Sequence, residues 1–139
     1  MAEKEDGKHR ILVVDDDADV VETIKMAISD LGQPISTANN GLRALELCGQ
    51  EDPDIIILDL MLPNRGGFQV LQKIKGNRQM KGKRPLVCMV TGNEGMMHKK
   101  FAEQLGVDEY LRKPFPMTHL VDIVQEFIEK LDAGIEDAK

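Results

Sequence analysis

Cysteine is scarce in this chain. Cys48 and Cys88 are the only two, too few and too far apart for a disulfide framework or a zinc site. Each falls within an apolar pattern, and a buried, inert thiol is expected at both. No hydrophobic run approaches membrane-spanning length. The N-terminus, Met1-Ala2-Glu3-Lys4-Glu5-Asp6, is charged and has no apolar signal-peptide core, so a cytoplasmic location is expected. His9, His98 and His119 are scattered among charged segments and read as solvated side chains rather than ligands or bases. Positive charge is also in deficit. A net charge of −6 argues against a nucleic-acid partner, which usually calls for a basic face.

What is present fits one folded domain. The chain has 139 residues, 42% hydrophobic and 30% charged, enough to bury a single core and too apolar for disorder. Short apolar runs alternate with amphipathic stretches, the βαβα pattern of a parallel sheet covered by helices. Strands are expected at Ile11 to Asp15, Pro34 to Ala38, Ile55 to Asp59, Leu86 to Val90 and Asp108 to Leu111. The first helix follows Asp17 as N-cap, buries Val20, Val21, Ile24, Ala27, Ile28 and Leu31, and stops at Gly32. Asn40-Gly41 opens a second, with Leu42, Leu45 and Cys48 on its apolar face. The third presents Phe68, Leu71 and Ile74, and the fourth runs from Glu94 to Leu105 with Gly106 as cap. The last begins after Pro116 and buries Leu120, Val124, Phe127, Ile128 and Leu131. The basic stretch from Lys75 to Arg84 reads as a solvated loop, or as a docking patch for an acidic partner. Residues 1–9 and 132–139 are charged or small and are expected to fray, leaving 10–131 as the domain.

Five strands, five helices and right-handed crossovers give a doubly wound α/β sheet, and the flavodoxin-like order 2-1-3-4-5 is the natural choice. Ligands of such sheets bind beyond the carboxyl ends of the strands, at the switch point between strands one and three. Four strands end there in polar groups: Asp15-Asp16-Asp17, Asp59, Thr91 and Lys113-Pro114. Acids, a hydroxyl and an ammonium converging on one carboxylate are what a phosphoryl-accepting aspartate requires.

The segments Val13-Val14-Asp15-Asp16-Asp17, Leu58-Asp59-Leu60-Met61-Leu62-Pro63 with Gly67, Val90-Thr91-Gly92 and Gly106-Val107-Asp108-Glu109-Tyr110-Leu111-Arg112-Lys113-Pro114-Phe115 occur in order at alternate strand ends. In this the chain resembles the receiver domain of bacterial two-component response regulators, from about Arg10 to Leu131. The resemblance implies that Asp59 accepts phosphate from a sensor histidine kinase or a histidine phosphotransfer protein. It implies Mg²⁺ (or Mn²⁺) held by Asp15, Asp16, Asp59 and the backbone carbonyl of Met61, a hard cation suited to oxygen ligands. Lys113 and Thr91 would contact the phosphoryl oxygens, and the Lys113–Pro114 peptide would be cis. Thr91 and Tyr110, the only tyrosine, would form the switch. Met61 and Asn93 depart from the commonest residues beside the path of the hydrolytic water and bear on phosphate lifetime.

The resemblance implies action through a partner, with no membrane expected. The implied output is a downstream protein target bound by the fourth helix, fifth strand and fifth helix. The last helix carries Asp122, Glu126 and Glu129 and no arginine, which favours a protein target over DNA-binding dimers. The chain then acts as a regulator, not as an enzyme beyond transferring phosphate to itself and losing it. A receiver fragment of a larger regulator or hybrid kinase is the alternative. An aspartate-nucleophile phosphatase is more distant, because such enzymes usually carry a second aspartate two residues past the nucleophile, and Met61 stands there. A flavodoxin-like nucleotide binder would find its phosphates repelled by the acidic, glycine-free first loop.

Overall fold

The computed structural model describes residues 7–63, 66–92 and 96–135, excepting the side chains of Met96 and Met97. Five parallel strands lie in the order β2-β1-β3-β4-β5: β1 Ile11–Val14, β2 Ile35–Ala38, β3 Ile55–Asp59, β4 Leu86–Thr91 and β5 Glu109–Arg112. The helices are α1 Ala18–Ile28, α2 Gly41–Glu51, α3 Gly67–Ile74, α4 Met96–Gln104 and α5 Met117–Asp132. This is the flavodoxin-like architecture expected from the alternating pattern.

The central strands are unbroken apolar runs because helices cover both sides of them. Every residue of β1, β3 and β4 is buried, whereas β2 and β5, at the sheet edges, are partly exposed. One face packs Ile24 and Ile28 of α1 with Leu120, Val124 and Phe127 of α5. The opposite face packs Ala44 and Leu47 of α2, Val70 and Leu71 of α3, and Ala102 of α4. Side-chain alternation therefore assigns Val13 and Ile57 to the first layer and Val14, Ile56 and Leu58 to the second.

Three local readings of the sequence are corrected. The buried stripe of α2 is Gly41, Ala44 and Leu47, while Leu42 is 51% exposed and Leu45 and Cys48 lie at its margin. Choosing leucines over an alanine and a glycine rotated the inferred face, although the small residues are what lets the helix approach the sheet. The Cys48 thiol is half-buried rather than enclosed, and burial pushes its pKa up to about 11. The last residues assigned to α1 form a separate 3-10 turn, Ser29–Leu31, closed by Gly32 in the left-handed region at φ 74°.

The basic connection after α3 is not simply a solvated loop. Lys75 is buried, and its Nζ lies 3.1 Å from Asp108 Oδ2 while donating to the carbonyls of Lys83 and Pro85. Asp108 also accepts from Gly82 N–H at 2.6 Å and Val87 N–H at 2.8 Å. Burial lowers the Lys75 pKa, and the Asp108 charge opposes that shift. Nearby, Arg84 reaches Asp54 at 2.7 Å, and Asp54 caps the Arg10 N–H at 2.9 Å. Arg84–Pro85, like Lys113–Pro114, is a cis peptide bond. At the N-terminal margin Lys8 Nζ donates to Gly32 O at 2.8 Å and His9 Nε2 meets Asp132 Oδ1 at 2.7 Å.

Removing one partner of a buried ion pair strands the other, and that costs several kcal/mol. Asp108→Ala also deprives two backbone N–H groups of their acceptor. It is expected to lower the unfolding free energy by about 3 kcal/mol or more. Urea denaturation of wild type and variant measures this, and a loss well under 1 kcal/mol would contradict the bracing role.

Candidate functional site

The carboxyl ends of β1 and β3 are neighbours because strand order reverses between them, with Val14 opposite Leu58. Asp15 is the first residue past β1 and Asp59 the last of β3. Both are buried, while Asp16 is exposed. One carboxylate oxygen from each of Asp15, Asp16 and Asp59 lies within 4.8 Å of the others. No other such cluster of acids, histidines and cysteines occurs among the described residues.

Local structure holds each acid in place. Asp15 N–H donates to Ala38 O at 3.2 Å, and its Oδ1 accepts the Asp17 N–H at 2.9 Å. Asp17 caps α1 as expected, accepting the N–H groups of Asp19 and Val20, so its carboxylate is committed to the helix. Asp59 Oδ1 accepts the Met61 N–H at 3.3 Å, which fixes that backbone beside the carboxylate. The following loop is folded tightly over the strand end. Leu60 N–H donates to Val90 O and Gly67 N–H to Leu60 O, both at 2.9 Å. A Cβ on Gly67 would sit 2.6 Å from the Leu60 Cα, so only glycine fits.

Lys113 and Thr91 arrive from the neighbouring pair of strands. Thr91 ends β4, is fully buried, and its carbonyl accepts the Lys113 N–H at 2.7 Å. The Lys113 ammonium reaches inward to Asp15 Oδ2 at 3.3 Å. Its peptide bond to Pro114 is cis, as the resemblance implies. Tyr110 pairs with Met89 in the sheet, and its ring packs on the layer formed by α2, α3 and α4. Strand alternation places Thr91, two past Met89, on the same face. The Tyr110 hydroxyl is buried without a hydrogen-bond partner among the described residues, and burial raises its pKa. Asn93 lies outside the described residues.

The electrostatics are frustrated. Burial and the charge of Asp15 push the Asp59 pKa up from 3.8 to about 6, with a smaller push from Asp16, against the opposing pull of Lys113 and the Met61 N–H. The donor set is three carboxylates, hard oxygen ligands converging on one point beside an open depression of about 460 Å³ that Thr37, Asn39 and Arg43 also line. Those features fit a small divalent cation such as Mg²⁺, which prefers oxygen and retains waters on its open side. Sequence spacing could not have shown the Lys113–Asp15 contact, because two strands, β3 and β4, lie between the strands that carry the two residues.

The family model for the response regulator receiver domain matches residues 11–125. The chain is similar to the N-terminal domain of an uncharacterized protein from Wolinella succinogenes, at 30% identity and a TM-score of 0.79, covering 90% of this chain and 98% of that one. A CheY-like receiver domain protein from Methanospirillum hungatei is 26% identical with a TM-score of 0.79, over 91% and 99% of the two chains. The chemotaxis protein CheY4 of Vibrio cholerae is 25% identical with a TM-score of 0.74, over 86% and 98%.

The raised Asp59 pKa carries a signed consequence for the metal-free protein. Between 3.8 and about 6 the folded state holds the Asp59 proton more tightly than the unfolded state, so stability falls as pH rises through that window. Asp59→Asn removes the ionisation. In chelator it should melt at a higher temperature than wild type at pH 7, and the gap should close as pH falls to about 4. A variant that melts below wild type at pH 7 would show that the Asp59 charge is not a burden in the fold.

Proposed function

The chain belongs to the response regulator receiver domain family, and from that premise we propose that Asp59 accepts a phosphoryl group from a sensor histidine kinase or histidine phosphotransfer protein. The observation that carries this reading is the cluster itself: Asp59 beside Asp15 and Asp16, with the Lys113 ammonium reaching the same group of acids. An Asp59 carboxylate oxygen attacks phosphorus, the new O–P bond forms, and the P–N bond of the phosphohistidine breaks with its electron pair on the departing imidazole. Nucleophile and phosphoryl group are both anionic, so the step depends on positioning and charge neutralisation.

Asp15, Asp16, Asp59 and the Met61 carbonyl would hold a divalent cation. When bound, it supplies charge neutralisation between the acceptor carboxylate and the incoming phosphoryl oxygens. Lys113 exchanges its contact with Asp15 for one with a phosphoryl oxygen, and the Thr91 hydroxyl donates to another. The tight backbone of Leu60, Met61 and Gly67 holds Asp59 at the end of β3, where the donor would meet it. Met61, two residues past the acceptor and 64% exposed, would bear on phosphate lifetime as an apolar side chain flanking the path of hydrolytic water. Because it is neither acid nor base, this site is built to hold phosphate on the protein rather than to turn over an external substrate.

The readout would run through Thr91 and Tyr110. They share one face of adjacent strands, so a Thr91 drawn toward a phosphoryl oxygen leaves space that the Tyr110 ring responds to. The surface affected is that of α4, β5 and α5, and a protein target there fits the acids Asp122, Glu126 and Glu129 of α5. The chemotaxis name of the Vibrio cholerae relative is in keeping with an output made by protein contact. Among the described residues no helix is long and apolar enough to cross a membrane.

Two measurements test the reading. Intact-mass spectrometry after incubation with acetyl phosphate and Mg²⁺ should show one added phosphoryl group in wild type, and none in Asp59→Asn or in chelator. Stable uptake by Asp59→Asn would overturn the acceptor assignment. Beryllofluoride with Mg²⁺ should shift amide NMR signals from Thr91 to Lys113 beyond the immediate site. Shifts confined to Asp15, Asp16 and the Asp59 loop would show that the domain accepts phosphate without switching.

A further inference from the structure

A second cation flanks the acid cluster and has no part in the phosphoryl chemistry described above. The depression of about 460 Å³ beside the cluster is walled by α1 and α2, and charged groups line both walls: Asp15, Asp16 and Glu22 on one side, Arg43 on the other. Among the described residues lining it, Arg43 is the only cation. Strand order sets Arg43 across the site from Lys113. Lys113 follows β5, at one edge of the sheet, and Arg43 lies in the helix that follows β2, at the other edge. The two cations therefore approach the acids after β1 from opposite sides.

Backbone contacts fix where Arg43 stands. Its N–H donates to Asn40 Oδ1 at 2.8 Å, which caps α2 and holds the first turn. In the same turn Gly41 N–H donates to Pro63 O at 3.4 Å, tying that turn to the loop after Asp59. The side chain keeps freedom within this frame. Its one ion pair among the described residues is with Glu46, 3.3 Å away in the next turn, and both side chains are half exposed. An exposed pair of this kind contributes little and holds neither charge firmly. Glu46 is not part of the depression's lining, whereas Arg43 is. A guanidinium does not lose its proton in proteins, so the depression carries this positive charge at every physiological pH.

A divalent ion held by Asp15, Asp16 and Asp59 would feel that charge, and a doubly charged ion feels it twice as strongly as a single charge does. A hollow of about 460 Å³ spans a distance comparable with the Debye length, about 10 Å at 0.1 M salt. Repulsion across it therefore acts at low ionic strength and fades at high. We propose that Arg43 sets how tightly the acid cluster holds its divalent cation, weakening the grip by repulsion across the depression. The ion then stays exchangeable, and its occupancy follows the free concentration of the metal. Glu22 acts in the opposite sense from the α1 wall, and Glu46 offsets part of the Arg43 charge. This role rests on the cation-site reading of Asp15, Asp16 and Asp59 and requires no phosphate transfer.

Mg²⁺ titrations of the full chain, followed by the amide NMR signals of Asp16, Asp59 and Met61, measure the affinity directly. At low ionic strength Arg43→Gln should bind Mg²⁺ about threefold more tightly than wild type, as loss of one unit charge about 10 Å from a divalent ion does. Arg43→Lys keeps the charge and should stay close to wild type. Glu22→Gln should weaken binding by a similar factor. Lys130→Gln removes the same charge from the last turn of α5, at the far end of the sheet where His9, just before β1, meets Asp132. It should change nothing. In about 1 M salt, where the Debye length falls to about 3 Å, the differences should vanish. Unchanged or weaker affinity in Arg43→Gln overturns the proposal. So does a tightening that Lys130→Gln reproduces, that Arg43→Lys shares, or that salt leaves intact. Phosphate uptake separates this role from the receiver reading. Tighter Mg²⁺ binding by Arg43→Gln, with no phosphoryl group taken up by wild type from acetyl phosphate, keeps the role and removes that reading. Equal Mg²⁺ affinities, with normal uptake at Asp59, do the reverse.

Discussion

Everything at the carboxyl end of this sheet depends on mutual repulsion among three carboxylates held within 4.8 Å. The sheet forces it. Strand order reverses between β1 and β3, so two chains of backbone leave the sheet in opposite directions and open a crevice, and each deposits an aspartate there. Burial makes the conflict sharper by taking water away from Asp15 and Asp59. Lys113 is the one described cation that answers them directly, and a single ammonium cannot balance three acids. The fold thus presents a site that is short of positive charge until something binds.

The other end of the sheet shows what the same chain does when a charge is meant to stay silent. There Lys75 is enclosed and given Asp108 and two carbonyls, and Asp54 is given Arg84 and a backbone N–H. Donors and acceptors match, and the network ties the α3–β4 connection to the starts of β4 and β5. Buried ions satisfied in this way hold structure and invite no ligand. The acids at the crevice are of the same residue types but lack that compensation. The contrast between the two ends, rather than the presence of aspartates, is what marks one end as the site.

The architecture was legible in the sequence because the apolar runs of β1, β3 and β4 are continuous, which only strands covered on both faces require. The acids and Thr91 were legible because each stands at the end of such a run, and Lys113 because it follows the short strand β5 and precedes a proline. The misreadings came where a side chain's size misled. In α2, leucine suggested the buried face, but Gly41 and Ala44 occupy it, since a helix that packs closely places its smallest residues against the sheet. At Lys75, charge suggested solvent, and nothing local reveals that Asp108, thirty-three positions later, waits to receive it. Likewise Phe68 reads as a core residue of α3, but its neighbour Phe101 comes from another helix. Contacts between distant segments carry no trace in period or propensity.

Tyr110 carries a conflict of its own. Its ring is packed inward on the second core layer, yet its hydroxyl is enclosed without a partner among the described residues. Leaving a buried hydroxyl unpaired costs about 1–3 kcal/mol, which is set against the apolar contact the ring makes. An outward ring regains water for the hydroxyl and gives up that contact. A balance of that size would be sensitive to any neighbour that moves, and Thr91 lies on the same face at the end of β4, the strand next to that of Asp59. On the receiver reading, the phosphoryl group need add only a few hydrogen bonds to Thr91 and Lys113 to shift such a balance. The energy driving such a switch would then be local, with the sheet keeping the acceptor, the hydroxyl and the ring on neighbouring strands.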